Sequence, residues 1–284
     1  MNLEAVRNYR ITPTEHSYTR RDSMLYALGL GYGADPLDPA QLAFVYESQL
    51  KTVPSICCVL AHPGFWAKDP LLGLDWLKML HGEQSFRIHR PIPPEGTVVG
   101  SYAIDAVEDK GADKGAILHQ SKQLHDKQSG DLLATVKSVL FLRGDGGCGG
   151  FGDIPPQPEA LPSDTPSQQG DVPTLPQSAL IYRLSGDYNP IHADPAAAAK
   201  AGFERPILHG LCTFGLATRA IISTFAPGAP ERLTSLFARF SRPVYPGETI
   251  RTEFFRSGAR IRFRARALER DVIVLDRGSA ELAA

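Results

Sequence analysis

Asp187, Asn189 and His192 stand at D-x-N-x-x-H spacing in the run Asp187-Tyr188-Asn189-Pro190-Ile191-His192. Asn189-Pro190 is a strong turn dipeptide, so the carboxylate and the imidazole can face one point. A water held between them would lose a proton to one group and be oriented by the other, which is general acid–base chemistry. Asn189 would fix that geometry by hydrogen bonding. Taken alone, turn chemistry explains most of this segment, with His192 a satisfied polar residue. A second signal follows in Pro206-Ile207-Leu208-His209-Gly210-Leu211. Glycine lets the backbone approach a ligand closely, and the apolar helix opening there presents free N–H groups. Negative charge is stabilised at such a terminus. An enolate oxygen developing on a thioester would be held there as in other oxyanion holes. Together the segments describe a site that moves water onto or off an activated double bond, with Asp187, Asn189, His192 and Gly210 as its catalytic set.

The flanking sequence says how these residues are positioned. Asp194 is a good N-cap, Pro195 suits a first helical turn, Ala196–Ala201 are helix formers, and Gly202 can end that helix. A longer helix follows Gly210, with Leu211, Phe214, Thr218, Ile221, Ile222 and Phe225 at helical spacing. Beyond it residues 236–282 read as four strands, with Ile261, Phe263, Ala265 and Ala267 facing one way and Arg260, Arg262, Arg264 and Arg266 the other.

The chain also echoes itself. Phe86-Arg87-Ile88-His89-Arg90-Pro91 before Pro94-Glu95-Gly96-Thr97 matches Phe240-Ser241-Arg242-Pro243 before Pro246-Gly247-Glu248-Thr249, and Tyr26-Ala27-Leu28-Gly29 matches Tyr182-Arg183-Leu184-Ser185. Two echoes in one order favour an internal duplication. Gly- and Pro-rich residues between them read as a linker. The expected division is a non-catalytic first domain over 1–143, a linker over 144–177 and a catalytic second domain over 178–284. Aligning Tyr26 with Tyr182 sets Gly31, Gly33 and Pro36 opposite Asp187, Asn189 and His192, so the first half lacks the acid/base pair. Its counterpart of the long helix starts at Val53-Pro54-Ser55, but His62-Pro63-Gly64 breaks it, which predicts a wider groove over that half.

Composition limits the function classes. With 284 residues, 43% of them hydrophobic and 21% charged, the chain reads as an ordinary soluble globular protein. A net charge of −1 gives no electrostatic reason to expect nucleic acid or anionic lipid. No apolar run approaches the roughly 20 residues of a membrane span. The N-terminal residues lack the apolar centre of a secretory signal, and Glu281-Leu282-Ala283-Ala284 matches no peroxisomal or retention address. Cys57, Cys58, Cys148 and Cys212 show no metal or disulfide spacing and read as reduced thiols of a cytoplasmic protein.

The runs S-G-D-Y-N-P-I-H-A-D-P at 185–195 and P-I-L-H-G-L-C-T-F-G at 206–215 resemble the MaoC-like (R)-specific 2-enoyl-CoA hydratases, or hydratase 2. R-D-S-M-L-Y-A-L-G-L-G at 21–31, L-H-G-E-Q at 80–84 and R-P-I-P-P-E-G at 90–96 extend the resemblance over nearly the whole chain outside the linker. It implies an α+β double hot-dog fold, two tandem antiparallel sheets each wrapped around a helix, the N-terminal one reduced to make room for bulky acyl chains. It implies that Asp187 and His192 activate the water, that Asn189 assists and that the Gly210 amide binds the thioester oxygen. The substrate would be a trans-2-enoyl-CoA, with coenzyme A as part of the substrate and no metal or redox cofactor. His209, Tyr188 and Arg262 are further substrate-binding candidates, the last because the arginine stripe could meet coenzyme A phosphates. Two fused hot-dogs can suffice alone or pair again as a homodimer. The alternatives are a dehydratase on carrier-protein thioesters, a thioesterase, or a silent acyl-CoA-binding protein.

Other signals are weaker. Gly144-Asp145-Gly146-Gly147-Cys148-Gly149 fits G-x-G-x-x-G, but no helix is expected after it, so it reads as linker. Cys212 reads as core packing. His62, His81, His89, His119 and His125 show no ligand-like grouping in the sequence.

Overall fold

Among the described residues, ten strands form one antiparallel sheet in the computed structural model, which describes every residue except Ser163, Gly258, Ala259 and Ala284. The first half supplies β1 (Thr14–Tyr18), β2 (Met79–Ile88), β3 (Gly96–Asp109), β4 (Ala116–Asp126) and β5 (Leu132–Leu142). The second supplies β6 (Gln168–Pro173), β7 (Leu233–Phe240), β8 (Thr249–Ser257), β9 (Arg260–Ala267) and β10 (Val272–Leu282). Their order, β1-β3-β4-β5-β2-β7-β10-β9-β8-β6, reads as the same five-strand pattern from either edge.

The halves meet where β2 pairs with β7, and the register there is self-matching. Setting Arg90-Pro91 against Arg242-Pro243 makes Glu83 the counterpart of Ser235, and Arg87 the counterpart of Arg239. The observed pairs are Glu83 with Arg239 and Arg87 with Ser235, with Ser85 opposite its own counterpart Phe237. A pseudo-two-fold axis therefore passes through Ser85 and Phe237. The duplicated tyrosines obey it too: Tyr26, on α2 (Arg20–Gly29), and Tyr182, at the end of α4 (Ser178–Tyr182), have ring centroids 5.8 Å apart.

Each half wraps its strands around a helical segment, the double hot-dog arrangement expected. In the second half that segment is α6 (Gly210–Phe225), buried without interruption from Cys212 to Ile222. A helix buried on all sides needs apolar residues all round, and each fully buried large side chain contributes roughly 1.5–3 kcal/mol. The one charge among them, Arg219, donates to the Leu30 carbonyl at 3.0 Å and to Gln41 Oε1 at 3.2 Å. The preceding short helix, α5 (Pro195–Lys200), has the expected ends, with Asp194 capping the Ala196 amide and Gly202 at φ +85°.

In the first half the segment shrinks to one 3-10 turn, Pro54–Cys58. His62-Pro63-Gly64 is not its only limit. The Lys122 ammonium is buried beneath it and donates to the carbonyls of Cys57 and Leu60 at 2.7 Å and of Cys58 at 3.3 Å. Those carbonyls would otherwise be unpaired helix-end groups. Gly100 of β3 supplies the floor, because a Cβ there would lie 2.8 Å from the Ala61 oxygen.

The linker differs from expectation in two places. Residues 168–173 are β6, the repeat counterpart of β1, paired with β8 from Gln168–Phe254 to Pro173–Thr249. The glycine-rich turn packs on the first half: the Gly147 and Gly149 amides donate to the Asp109 carboxylate at 2.8 Å, and Phe151 bridges Val107. Neither piece holds a core of its own, so composition conceals both. The four C-terminal strands are present, with β7 starting three residues earlier than expected. Two further helices, α1 (Leu3–Asn8) and α3 (Pro39–Leu42), had no signature in the pattern above.

Candidate active site

Two loops of the second half converge at the start of α6. The first begins after Gly186, at φ +117°, where the Asp187 Oδ1 accepts the Asn189 amide at 3.1 Å. Asn189 Oδ1 then accepts the Ile191 amide at 3.2 Å and caps the turn Pro190–His192. Side chains short enough to bond their own backbone make this turn, which is why Asp and Asn suit it.

The second loop is tied to the first. His192 Nδ1 donates to the Ile207 carbonyl at 2.8 Å, and the Ile207 amide donates to the Ile191 carbonyl at 3.2 Å. The Leu208 amide reaches the Val244 carbonyl at 2.7 Å. Because a carbonyl can only accept, His192 carries its proton on Nδ1, leaving Nε2 with a free lone pair. His209 is oriented by the same logic: its Nε2 donates to the backbone oxygen of Asp187 at 3.1 Å.

One ligand-type atom from each of Asp187, His192 and His209 lies within 4.8 Å of the other two. The two histidines are buried, while Asp187 is exposed. Burial holds the His192 pKa below its ordinary value. Burial and the neighbouring His192 push His209 down to about 4. Both are therefore neutral near pH 7, and His192 can accept a proton. These residue types also occur as metal ligands. Here the two rings are stacked, with centroids 3.7 Å apart and planes 27° from parallel. Near-parallel rings keep their in-plane lone pairs from converging on one ion.

Gly210 begins α6, and its N-cap, His209, makes no side-chain capping bond. The first amides of the helix thus have no side-chain cap. A Cβ at Gly210 would touch the Phe240 ring at 3.4 Å.

Tyr188 and Arg262 are placed differently from this cluster. Tyr188 is exposed, its ring centroid 4.9 Å from the Arg183 guanidinium carbon. Arg262 projects from β9 on the face opposite the buried Ile261 and Phe263, and donates to the Glu159 carboxylate at 2.8 Å and carbonyl at 2.7 Å. Its partners lie in the linker. Cys212 is buried in α6 and burial pushes its thiol pKa well up, which suits packing rather than attack.

The first half adds a histidine that its sequence context did not group with the site. His81 of β2 packs edge-on against Phe240, 4.8 Å between centroids, and its Nε2 is buried without a partner. Burial pushes its pKa down to about 4, and the Asp187 carboxylate is among the charges acting on it. His62 also feels that charge. The available signal was L-H-G-E-Q at 80–84, a run that no helix or turn rule explains.

The sequence divides in the same way when compared with known proteins. Residues 16–144 match the family model described as MFE-2 hydratase 2 N-terminal domain, and residues 158–277 match that described as MaoC like domain. The chain is 40% identical over 286 residues to 3-hydroxyacyl-thioester dehydratase Y of Mycobacterium tuberculosis, covering 96% of this chain and 95% of that protein. It is 37% identical to peroxisomal enoyl-CoA hydratase 2 of Arabidopsis thaliana, covering 96% and 93%. The crystal structure of a MaoC-like dehydratase from Phytophthora capsici aligns with a TM-score of 0.88 at 34% identity, over 100% of this chain and 99% of that one. With relatives matching both repeats and the linker between them, the chain belongs to the MaoC-like hydratase 2 family.

Proposed function

We propose that this chain is a hydro-lyase that reversibly hydrates a trans-2-enoyl-CoA to the (R)-3-hydroxyacyl-CoA in acyl-CoA metabolism. The observation that carries the reading is the grouping of Asp187, His192 and His209 within 4.8 Å beside the first turn of α6. A water between the Asp187 carboxylate and His192 Nε2 loses a proton to one of them as its oxygen bonds to C3. The C2–C3 π electrons move toward the thioester oxygen, where the Gly210 amide meets the developing charge. Return of that proton to C2 completes the hydration and regenerates the base. The thioester acidifies the α-carbon, so the chemistry asks for no redox cofactor.

The short 3-10 turn at Pro54–Cys58 supports an acyl chain bulkier than a full central helix would admit. The proposed location is the cytoplasm, supported by four free thiols. The proposed assembly is a homodimer, supported by exposed Leu28, Leu180 and Leu184 on adjoining segments of the two halves.

The direct test follows loss of enoyl-thioester absorbance, with product chirality determined, on coenzyme A and carrier-protein substrates. Asp187→Asn and His192→Gln should each lower kcat by about 10²–10⁴-fold while the protein remains folded. Rates near wild type in both variants would refute the assigned roles. Turnover only on the carrier-protein thioester would move the assignment to that dehydratase, and release of free thiol would make the protein a thioesterase.

A further inference from the structure

We propose that the first half keeps a second ligand site, which binds the acyl chain of a thioester without turning it over. The pseudo-two-fold axis relates Pro54 to Gly210 and Ile88 to Phe240. In the second half Gly210 and Phe240 face each other beside His209, a Cβ on Gly210 lying 3.4 Å from the ring. At the related position a cavity of about 400 Å³ is lined by Leu50, Thr52, Pro54, Ile88 and Ile92, and Pro230 of the second half borders it. Small-molecule sites typically span about 300–1,000 Å³ and are mostly apolar, as this one is.

The chemistry of the lining separates binding from catalysis. Pro54 has no N–H, so the donor that Gly210 offers is missing. Gly31, Gly33 and Pro36, opposite Asp187, Asn189 and His192, offer neither acid nor base. Gly31 is further constrained: a Cβ there would lie 2.5 Å from Arg219 Nη1, so that guanidinium occupies the space an acidic side chain would need.

Lys51 and Glu231 border the same cavity. The Lys51 ammonium donates to the Gly228 carbonyl at 2.6 Å and lies 3.7 Å from the Glu231 carboxylate. The ammonium offsets that carboxylate, so the rim carries no net charge and the apolar wall is left to take an acyl chain. The ligand class rests on the proposed function, whereas the existence of the site rests on the cavity and the axis.

The experiment is calorimetric titration of the full-length protein with dodecanoyl-CoA, a saturated thioester that cannot be hydrated. Two equivalents should bind per chain, and Leu50→Trp should remove one while leaving hydration of the four-carbon crotonyl-CoA, whose tail is too short to reach the Pro54 turn, within about twofold of wild type. Lys51→Glu, a milder change, should weaken the second event by about tenfold or more. Dodecanoate should bind there more weakly than its thioester, and equal or tighter binding would overturn the choice of a thioester. A single equivalent in the wild type, or two unchanged events in both variants, would overturn the site itself. Two equivalents in a protein that hydrates nothing would instead defeat the hydratase reading and leave this site standing.

Discussion

His209 lies against His192, ring centroids 3.7 Å apart, while its Nε2 reaches back to the carbonyl of Asp187. One residue thus touches both members of the proposed acid/base pair and stands at the N-cap position of the helix proposed to carry the oxyanion donor. Removing it in His209→Ala should loosen the angle between Asp187 and His192. Small misplacements of reacting groups cost about 10²-fold. A loss of that order is expected in kcat, with KM little changed, and His209→Asn should recover part of it by restoring an N–H donor. A fall in KM-related binding alone, with kcat intact, would show that His209 contacts substrate instead.

Acid should act on this site and on the fold together. Burial holds His192 below its ordinary 6.5, and pushes His209 and His81 down to about 4. A histidine buried neutral binds fewer protons than it does unfolded, so its contribution to stability is complete above pH 6.5 and is lost as pH falls toward 4. The urea midpoint should therefore drop across that window. The acid limb of kcat/KM should lie below pH 6.5, because the base must stay unprotonated. An acid limb centred above that value would contradict the buried, neutral His192.

Substitution at Gly210 separates space from chemistry. A methyl group there meets Phe240 at an ordinary contact distance of 3.4 Å, so Gly210→Ala should slow hydration only severalfold. Gly210→Val carries its branches into that ring and should shift the first turn of α6. Its kcat should fall toward the ~10²-fold that the loss of one oxyanion donor costs. Equal rates for the two variants would mean that the amide does not face the thioester.

The Lys122 ammonium closes the short turn at Pro54–Cys58 from below, bonded to three carbonyls. Lys122→Met keeps the length of the side chain and removes all three donors. Urea denaturation should show a loss of roughly 2–4 kcal/mol, the scale of leaving buried polar groups unsatisfied. A neutral outcome would mean that the turn ends on His62-Pro63-Gly64 alone.

Local rules made the second half readable. Asp194, Pro195 and Gly202 bound α5 through capping and backbone preference, and the apolar spacing after Gly210 marks α6. The turn at Asp187–His192 was legible because Asp and Asn bond their own backbone. By contrast β6 was hidden in Gln168-Gln169-Gly170-Asp171-Val172-Pro173, where only Val172 is buried. Its strand geometry comes from pairing with β8, a partner about 80 residues away. His81 was hidden for a related reason. Alternation along β2 says which way a side chain points, but not that Phe240 and Asp187 wait there. Arg219 shows the converse, a charge inside an apolar pattern whose partners, Leu30 and Gln41, belong to the other half.

In a pair of identical subunits every mutation is written twice, so a gain in room on one side repeats on the other and erodes both reaction centres. The Ser85–Phe237 seam instead joins halves that are encoded separately. A short turn in the first repeat therefore sits beside a full-length helix in the second without either fixing the other's sequence. Tolerance for new tails and fidelity of proton transfer can evolve on different stretches of one gene.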